Sequence, residues 1–142
     1  MDSLRTDTPG AGVGAGWDDR VVPVRLRPVD PALFLPALDR FRRGAAETAD
    51  LRLLTKHLLA LLVAKAPGGA VEVRVPPYAV AQCVEGTRHT RGTPPAVVEM
   101  DAVTWIAIAT GDLDWAEAER DARLVASGER SDLGHLMPLS RG

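Results

Sequence analysis

Cysteine and aromatic side chains are both scarce in this chain of 142 residues. Its single cysteine, Cys83, excludes an internal disulfide and cannot build a zinc knuckle, which fits a protein of a reducing compartment. Aromatic residues make up only 4% of the chain, too few for a surface on which nucleic-acid bases could stack. The three histidines also lack the spacing of a metal site. We therefore expect no metal, no other cofactor and no nucleic-acid partner.

Strong charge of one sign and long apolar runs are also missing. The net charge of -2 gives no electrostatic reason to expect nucleic acid or an anionic membrane as the main partner. No apolar run approaches the ~20 residues that a membrane-spanning helix needs, so we expect no integral membrane association. The sequence does not begin with a positively charged segment and an apolar core, the pattern of a signal peptide. Together with the lone cysteine, these absences predict a cytoplasmic protein.

The remaining composition is typical of a single globular domain. Hydrophobic residues make up 46% of the chain and charged residues 25%, which is typical of neither disordered nor membrane proteins. Residues 1–19 are polar and glycine-rich, so we predict a disordered arm in front of a domain of residues 20–142. Gly10, Gly12 and Ala15 have the spacing of a dinucleotide-binding fingerprint. Because mostly polar residues precede them, where that motif needs a buried strand, we interpret them as part of a linker.

A helical section is predicted over residues 30–66. Asp30 and the proline after it open a helix, because aspartate caps the free amides and proline fits the first helical position. Pro36 kinks or restarts this helix, and Gly44 ends it. A second helix is predicted from Asp50 to Lys65. Its apolar face is formed by leucines at helical spacing, namely Leu51, Leu54, Leu58, Leu61 and Leu62.

Residues 69–139 then change to a mixed pattern of strands and short helices. A period of two predicts a half-buried strand at Val71–Val75, and further strands are predicted at Tyr78–Val84, Ala96–Met100 and Arg123–Ser127. The second strand is unusual because one of its faces carries only small side chains. Such a face lets a helix approach closely or leaves volume for something else to fill. Its residues are Ala79, Ala81 and Cys83.

The helices of the last third are short and begin at aspartates. Asp101 caps a predicted helix over residues 102–110, which contains no charged residue and must be buried on most of its circumference. Its β-branched residues make a strand the competing interpretation. Asp114 and Glu117 have the spacing of a capping box at the start of the next helix. A last short helix is predicted to end at Pro138.

Several stretches of residues 69–139 resemble the sterol-carrier-protein, or non-specific lipid-transfer, family, and in particular a bacterial branch of it. The stretches are VRVPPY at 73–78, QCVEG at 82–86, HTRGTPP at 89–95, the Thr110-Gly111 turn and ASG at 126–128. The resemblance implies an α+β fold, with a mixed, mostly antiparallel sheet of about five strands and helices packed on one face. It also implies a tunnel for fatty acyl chains, sterols or other lipids, and no catalytic machinery.

The candidate ligand-binding residues form an apolar set and a polar set. The apolar candidates would line the tunnel, although their residue types fit a well-packed core equally well; they are Val80, Val98, Trp105, Ile108, Leu113, Trp115 and Leu124. The polar candidates, Arg88, His89 and Arg91, could hold a carboxylate or phosphate near the tunnel mouth. They could instead belong to a structured connection between strands.

Catalysis has little support in the sequence. Cys83 lies among small apolar residues and is predicted to be buried, and His57 is predicted to lie at the boundary of the leucine face. No glycine-flanked serine or phosphate-binding loop is present. We therefore expect a non-enzymatic protein that binds or carries a fatty acid, an acyl thioester or another lipid. The alternative is a protein-interaction or regulatory module on the same fold, with its cavity filled and a protein as its partner.

Overall fold

The fold was obtained as a computed structural model, which describes residues 26–86 and 96–142. No helix in this described part is both long enough and apolar enough to cross a membrane. The helices and strands follow one another as α1 Pro31–Arg42, α2 Thr48–Lys65, β1 Val71–Val75, β2 Ala79–Cys83, β3 Ala96–Met100, α3 Ala102–Ala109, α4 Trp115–Arg120, β4 Leu124–Ser127 and a 3-10 turn at Gly134–Leu136.

The strands form one mixed sheet in the order β2-β1-β3-β4. β1 pairs with β2 and β3 pairs with β4 in antiparallel fashion, whereas the two central strands, β1 and β3, are parallel. The predicted α+β class with a mixed, mostly antiparallel sheet is therefore confirmed. The described residues contribute four strands to this sheet, one fewer than the expected number of about five.

One face of the sheet is buried against the helices, and the side chains on the other, solvent-facing side are half-buried or exposed. Side chains alternate between the two faces along each strand, so the buried ones recur at every second position. Val98 at the centre of β3 lies opposite Val73 on one side and Ala126 on the other. We call the buried side the inner face; it carries Val71, Val73, Val75, Ala79, Ala81, Cys83, Ala96, Val98, Met100, Leu124 and Ala126.

The first two helices begin at side-chain caps and are joined by an ion pair. Asp30 Oδ1 accepts a hydrogen bond from the Ala32 amide at 2.8 Å, and α1 continues through Pro36 without a break. Helix α2 begins at Thr48, two residues earlier than predicted. The reason is that the Asp50 carboxylate lies inside the first turn and accepts a hydrogen bond from the Glu47 amide at 3.1 Å.

The uncharged segment after β3 is a helix, and the alternative of a strand is wrong. Asp101 Oδ1 accepts a hydrogen bond from the Thr104 amide at 2.8 Å, which is the predicted cap. At the other end the Thr110 hydroxyl donates to the Ile106 carbonyl at 2.7 Å. Most side chains of α3 are buried, because it packs against α2. The absence of charge in its sequence follows from this position.

Two predictions for the C-terminal elements are wrong in detail. Asp114 is the cap residue of α4, but its side chain makes no hydrogen bond to the first turn, so the capping box with Glu117 is not formed. The last predicted helix is a single 3-10 turn, in which Asp132 Oδ1 accepts a hydrogen bond from the Gly134 amide at 2.9 Å. A turn of this length suits a segment that must stop before Pro138.

The connection from α2 to β1 is closed by backbone contacts with Val84, the residue that follows β2. The Val84 amide donates to the Ala66 carbonyl at 2.7 Å, and the Val84 carbonyl accepts from the Ala70 amide at 2.9 Å. Gly68 lies inside this loop with a φ of +143°, and a Cβ at this position would overlap the Val84 oxygen. The loop can therefore close only around a glycine.

Candidate functional site

The structure brings together six of the seven apolar residues predicted to line a cavity. Five of them belong to the buried core between the inner face and the helices, and the sixth, Leu113, is partly buried and packs against it. These five predicted residues are Val98 on β3, Trp105 and Ile108 on α3, Trp115 on α4 and Leu124 on β4. We call this region the interior site.

Val80 lies apart from the interior site. It is opposite Arg74 in the sheet, and both residues alternate with buried neighbours of the inner face. Its side chain is therefore on the solvent side of the sheet, where it is half-buried. The small side chains of β2 occupy the inner face in its place, and helix α2 packs close to this strand. Assigning Val80 to the same wall as Val98 is thus not compatible with the register.

Protein atoms fill the space around the centre of the interior site. Val98, Trp105 and Ile108 have no surface that water could reach. The indole N–H of Trp105 donates to the Thr55 carbonyl of α2 at 3.3 Å, which ties α3 to α2 across the core. A ligand that reached these three side chains would have to displace packed neighbours.

Two buried polar atoms of this region have no hydrogen-bond partner in the described part of the chain. They are the Thr55 hydroxyl on α2 and the indole N–H of Trp115 on α4. Thr55 is fully buried, and Trp115 is 5% exposed. A buried polar group without a partner costs about 1–3 kcal/mol, and such groups are rare in native proteins. These two atoms are therefore positions at which a ligand oxygen could complete a hydrogen bond.

The C-terminal turn lies directly against Trp115. A Cβ placed on Gly134 would be 3.1 Å from the Cβ of Trp115, so the backbone of the 3-10 turn is in contact with this side chain. Leu133, which precedes the turn, is fully buried in the same core. A short 3-10 turn thus covers one side of Trp115.

His57 is buried, which differs from the predicted boundary position. Its Nδ1 accepts a hydrogen bond from the Val29 amide at 2.9 Å, and its ring lies 4.3 Å from the ring of Phe34. The burial lowers the pKa of His57 below its usual value. Because Nδ1 accepts this hydrogen bond, it carries no proton and the imidazole is neutral. The same bond attaches the segment 26–29 to helix α2.

The buried thiol of Cys83 is not suited to nucleophilic chemistry. It lies on the inner face with no exposed surface, and burial raises its pKa to about 11. The attacking species in thiol chemistry is the thiolate, which is scarce at neutral pH for such a group. Within residues 26–86 and 96–142, no three His, Cys, Asp or Glu side chains are grouped as a metal site would require.

Among the described residues, two surface pockets stand out. One, of about 450 Å³, lies on the solvent side of the sheet and is lined by Pro76, Val97, Glu99, Met100, Asp101, Val125 and Ser127. The second, of about 360 Å³, lies between the segment 26–29 and helix α2. We call it the α2 groove; it is lined by Leu26, Arg27, Val29, Ala49, Arg52, Leu53 and Lys56.

Comparison with known proteins agrees with the topology and with the predicted family. A family model described as a bacterial SCP ortholog, where SCP stands for sterol carrier protein, matches residues 47–139, about two thirds of the chain. The chain belongs to this family. The match begins at the cap of α2 and includes the sheet, α3, α4 and the 3-10 turn. Membership indicates lipid binding or carriage in general, by proteins that are not catalytic as a rule. A search of curated proteins gave no match.

The polar candidates of this sterol-carrier-like protein, Arg88, His89 and Arg91, lie outside the described residues, as does the predicted arm of residues 1–19. Sequence reasoning missed two parts of the site. Thr55 occupies an apolar position of α2, four residues after Leu51 and three before Leu58, and this spacing could have revealed it. The α2 groove gave no such signal, because its wall comes from a segment far from α2 in sequence.

Proposed function

We propose that this sterol-carrier-like protein binds or carries a hydrophobic ligand at the interior site without catalysing a reaction on it. The ligand class is a fatty acid, an acyl thioester or another lipid with one polar end. The apolar contacts would come from α3, α4 and the inner face, and the polar residues Arg88, His89 and Arg91 are proposed to hold the head of the ligand. Family membership supports the class of function.

The observation that carries the proposal is the indole N–H of Trp115, which has no hydrogen-bond partner among the residues that the structure describes. It is a hydrogen-bond donor among mostly apolar side chains, in the core cluster to which Leu124 and Leu133 also belong. A core that serves only stability would place an apolar ring there, because a buried donor without an acceptor is destabilising. A carbonyl or carboxylate oxygen of a ligand would supply the acceptor. The unpaired Thr55 hydroxyl supports the same interpretation from the α2 side.

A protein-interaction module on the same fold is the second candidate. The observation in its favour is the packing at the centre of the interior site, where Val98, Trp105 and Ile108 have no accessible surface. A protein that retains a permanent tunnel leaves such side chains in contact with empty space or ligand. In this candidate the fold supplies a surface, and the core holds only its own side chains.

The first experiment is native mass spectrometry of protein purified without detergent, together with lipid analysis of its organic extract. One stoichiometric lipid class would support carriage and would identify the head group to test against Arg91 and its neighbours. An empty protein that also fails to bind a fluorescent fatty acid would exclude carriage and favour the interaction module.

Variants locate the ligand once one is found. Trp115→Phe keeps a smaller aromatic ring and removes the donor, so we expect lipid binding at least about tenfold weaker, the value of one hydrogen bond, in a protein that still folds. Val80→Ala is the matched control, because this side chain lies on the opposite face of the sheet and should leave affinity unaltered. Equal lipid affinities for the wild type and Trp115→Phe would show that the Trp115 indole N–H does not bind the ligand.

A further inference from the structure

The α2 groove has a wall, a floor and a charge pattern that are independent of the interior site. Helix α2 contributes four of its lining residues at positions separated by three or four, so they share one side of the helix; they are Ala49, Arg52, Leu53 and Lys56. The segment 26–29 runs beside them and contributes the rest. The volume of about 360 Å³ is within the range of small-molecule sites.

The wall of the groove is fixed in place before any ligand arrives. The Val29 amide donates to Nδ1 of the buried His57 at 2.9 Å, so the segment is anchored to α2 by a hydrogen bond to its backbone. Leu26 and Val29 also pack against the main core through partly buried side chains, and Leu53 does so from α2. The groove therefore has a preformed apolar floor, which reduces the entropy that a ligand loses on binding.

The rim of the groove is positive, and the described residues that line it include no compensating acid. Arg27, Arg52 and Lys56 line it, and the other lining residues within 26–86 and 96–142 are uncharged. Within the described residues, none of these three cations forms an ion pair, whereas Arg40, Arg42, Arg43 and Arg74 are each paired with an aspartate or glutamate. The guanidinium of Arg52 is held 5.8 Å from the centre of the Tyr78 ring, which orients it without neutralising it.

We propose that the α2 groove binds a single-chain anionic amphiphile. Its carboxylate or phosphate would contact the cations at the rim, and the first part of its alkyl chain would lie on Leu26, Val29 and Leu53. Arginine and lysine are the usual partners of such head groups. A concave site of this size fits one chain, whereas a flat basic surface would fit a membrane. The inference goes beyond lipid binding at the interior site, since it concerns a separate surface.

The test is a titration of isotope-labelled protein with dodecanoate below its micelle concentration, followed by the amide resonances of Val29, Ala49 and Leu53. The uncharged dodecanol is titrated in parallel. The double variant Arg52→Gln/Lys56→Gln removes two cations of the rim. The matched control, Arg120→Gln/Arg123→Gln, removes two exposed charges on and after α4 and so changes the net charge equally.

We expect saturable shifts at these three amides, binding at least about tenfold weaker in the rim double variant and for dodecanol, and unchanged binding in the control. Equal losses in both double variants, equal affinity for dodecanol, or no shifts at these amides would overturn the proposal. Binding only to phosphatidylglycerol vesicles would also overturn it and would assign the rim to a membrane surface.

Trp115→Phe separates this site from the interior site. Because Trp115 does not line the groove, this variant should keep the groove shifts even if it loses binding inside the core. If the amides of the groove shift but no lipid binds at the interior site, the groove proposal is supported and the proposed carrier function is wrong. If lipid binds at the interior site but the groove amides do not shift, only the groove proposal is wrong.

Discussion

Arg40 of α1 and Asp50 of α2 join the two helices through a bidentate salt bridge. Arg40 Nε donates to Asp50 Oδ2 at 3.0 Å, and Nη2 donates to Oδ1 at 2.8 Å. The same carboxylate also accepts the Glu47 amide at the start of α2, so one side chain both begins a helix and binds the preceding one. The hydrogen bonds from Arg40, followed by that from the Glu47 backbone, lower the pKa of Asp50 to about 2.

Asp50→Asn should destabilise the protein and remove part of its acid sensitivity. The folded pKa of Asp50 lies below the ordinary value of 3.8. Its contribution to the free energy of unfolding is therefore present above pH 4 and is lost as the pH falls toward 2. Thermal unfolding at pH 7 and pH 3 measures both effects. Asp39→Asn is the control, because its pair with Arg43 is exposed on both sides and should be worth at most about 0.5 kcal/mol. Equal melting temperatures for the two variants at pH 7 would contradict the prediction.

Lowering the pH should reduce the free energy of unfolding through protonation of His57 in the unfolded chain. Its folded pKa lies below the ordinary 6.5, so the unfolded chain takes up a proton first, and stability is lost as the pH falls below 6.5. Urea unfolding at pH 7.5 and pH 5.5 should show this loss in the wild type and a smaller one in His57→Gln. The exposed His135 provides the control, and His135→Gln should behave as the wild type. A pH dependence that survives in His57→Gln would assign it to other groups.

Thr55→Val should stabilise the empty protein by about 1 kcal/mol, because it removes a buried hydroxyl that has no partner in the described part of the chain. The same substitution at Thr110 is the matched control. The Thr110 hydroxyl donates to the Ile106 carbonyl at 2.7 Å, so Thr110→Val should cost about 1 kcal/mol. Urea unfolding of lipid-free protein measures both. Destabilisation by both variants alike would indicate that Thr55 has a partner in solution.

Gly68→Ala should cost more than about 3 kcal/mol, since its Cβ would overlap the Val84 oxygen and its φ of +143° is unfavourable for alanine. Gly44→Ala isolates the conformational part of this cost. Gly44 has a φ of +74° and open space around the position of a Cβ, so we expect a loss of only about 1 kcal/mol. Denaturant unfolding compares the two. Similar losses would mean that the loop at residues 66–70 can open without penalty.

Cys83 should react slowly with an aromatic disulfide reagent at pH 8. Raising the thiol pKa from 9.0 to about 11 reduces the thiolate fraction about a hundredfold, and the absence of exposed surface slows the reaction further. In denaturant the same thiol should react at the rate of an ordinary cysteine. Because the chain has a single cysteine, the absorbance change reports this site alone. Rapid modification of the native protein would contradict the burial of β2.

Local patterns in the sequence predicted most of the fold. The alternation of valine with charged residues gave β1 its observed bounds, Val71–Val75, and the bounds of β3 were predicted equally well. Strand β2 is shorter than predicted at both ends. The Tyr78 amide donates to the Val75 carbonyl in a tight turn, and Val84 has a φ of +70°, so neither residue is extended. Both departures depend on contacts with neighbouring segments, which a period of two does not encode.

The candidate site was predicted only in part, for a similar reason. Residue type and spacing identified the apolar residues on α3 and α4 but could not tell which face of β2 is buried, and Val80 was therefore misplaced. The burial of His57 depends on the Val29 amide, 28 positions away. Unpaired atoms such as the Trp115 indole N–H are properties of the packed molecule. Long-range contacts, and not local preferences, decide each of these.

Helix α3 has a consequence for the order of folding. It has eight residues and no charged side chain, and helices shorter than ~12–15 residues are marginal in water on their own. Its stability must come from α2, including the bond between the Trp105 indole and the Thr55 carbonyl, 50 positions earlier in the chain. We therefore expect the segment to become helical once α2 is in place. Until then a growing chain exposes an apolar stretch without a charged side chain, and a molecular chaperone would have to cover this stretch.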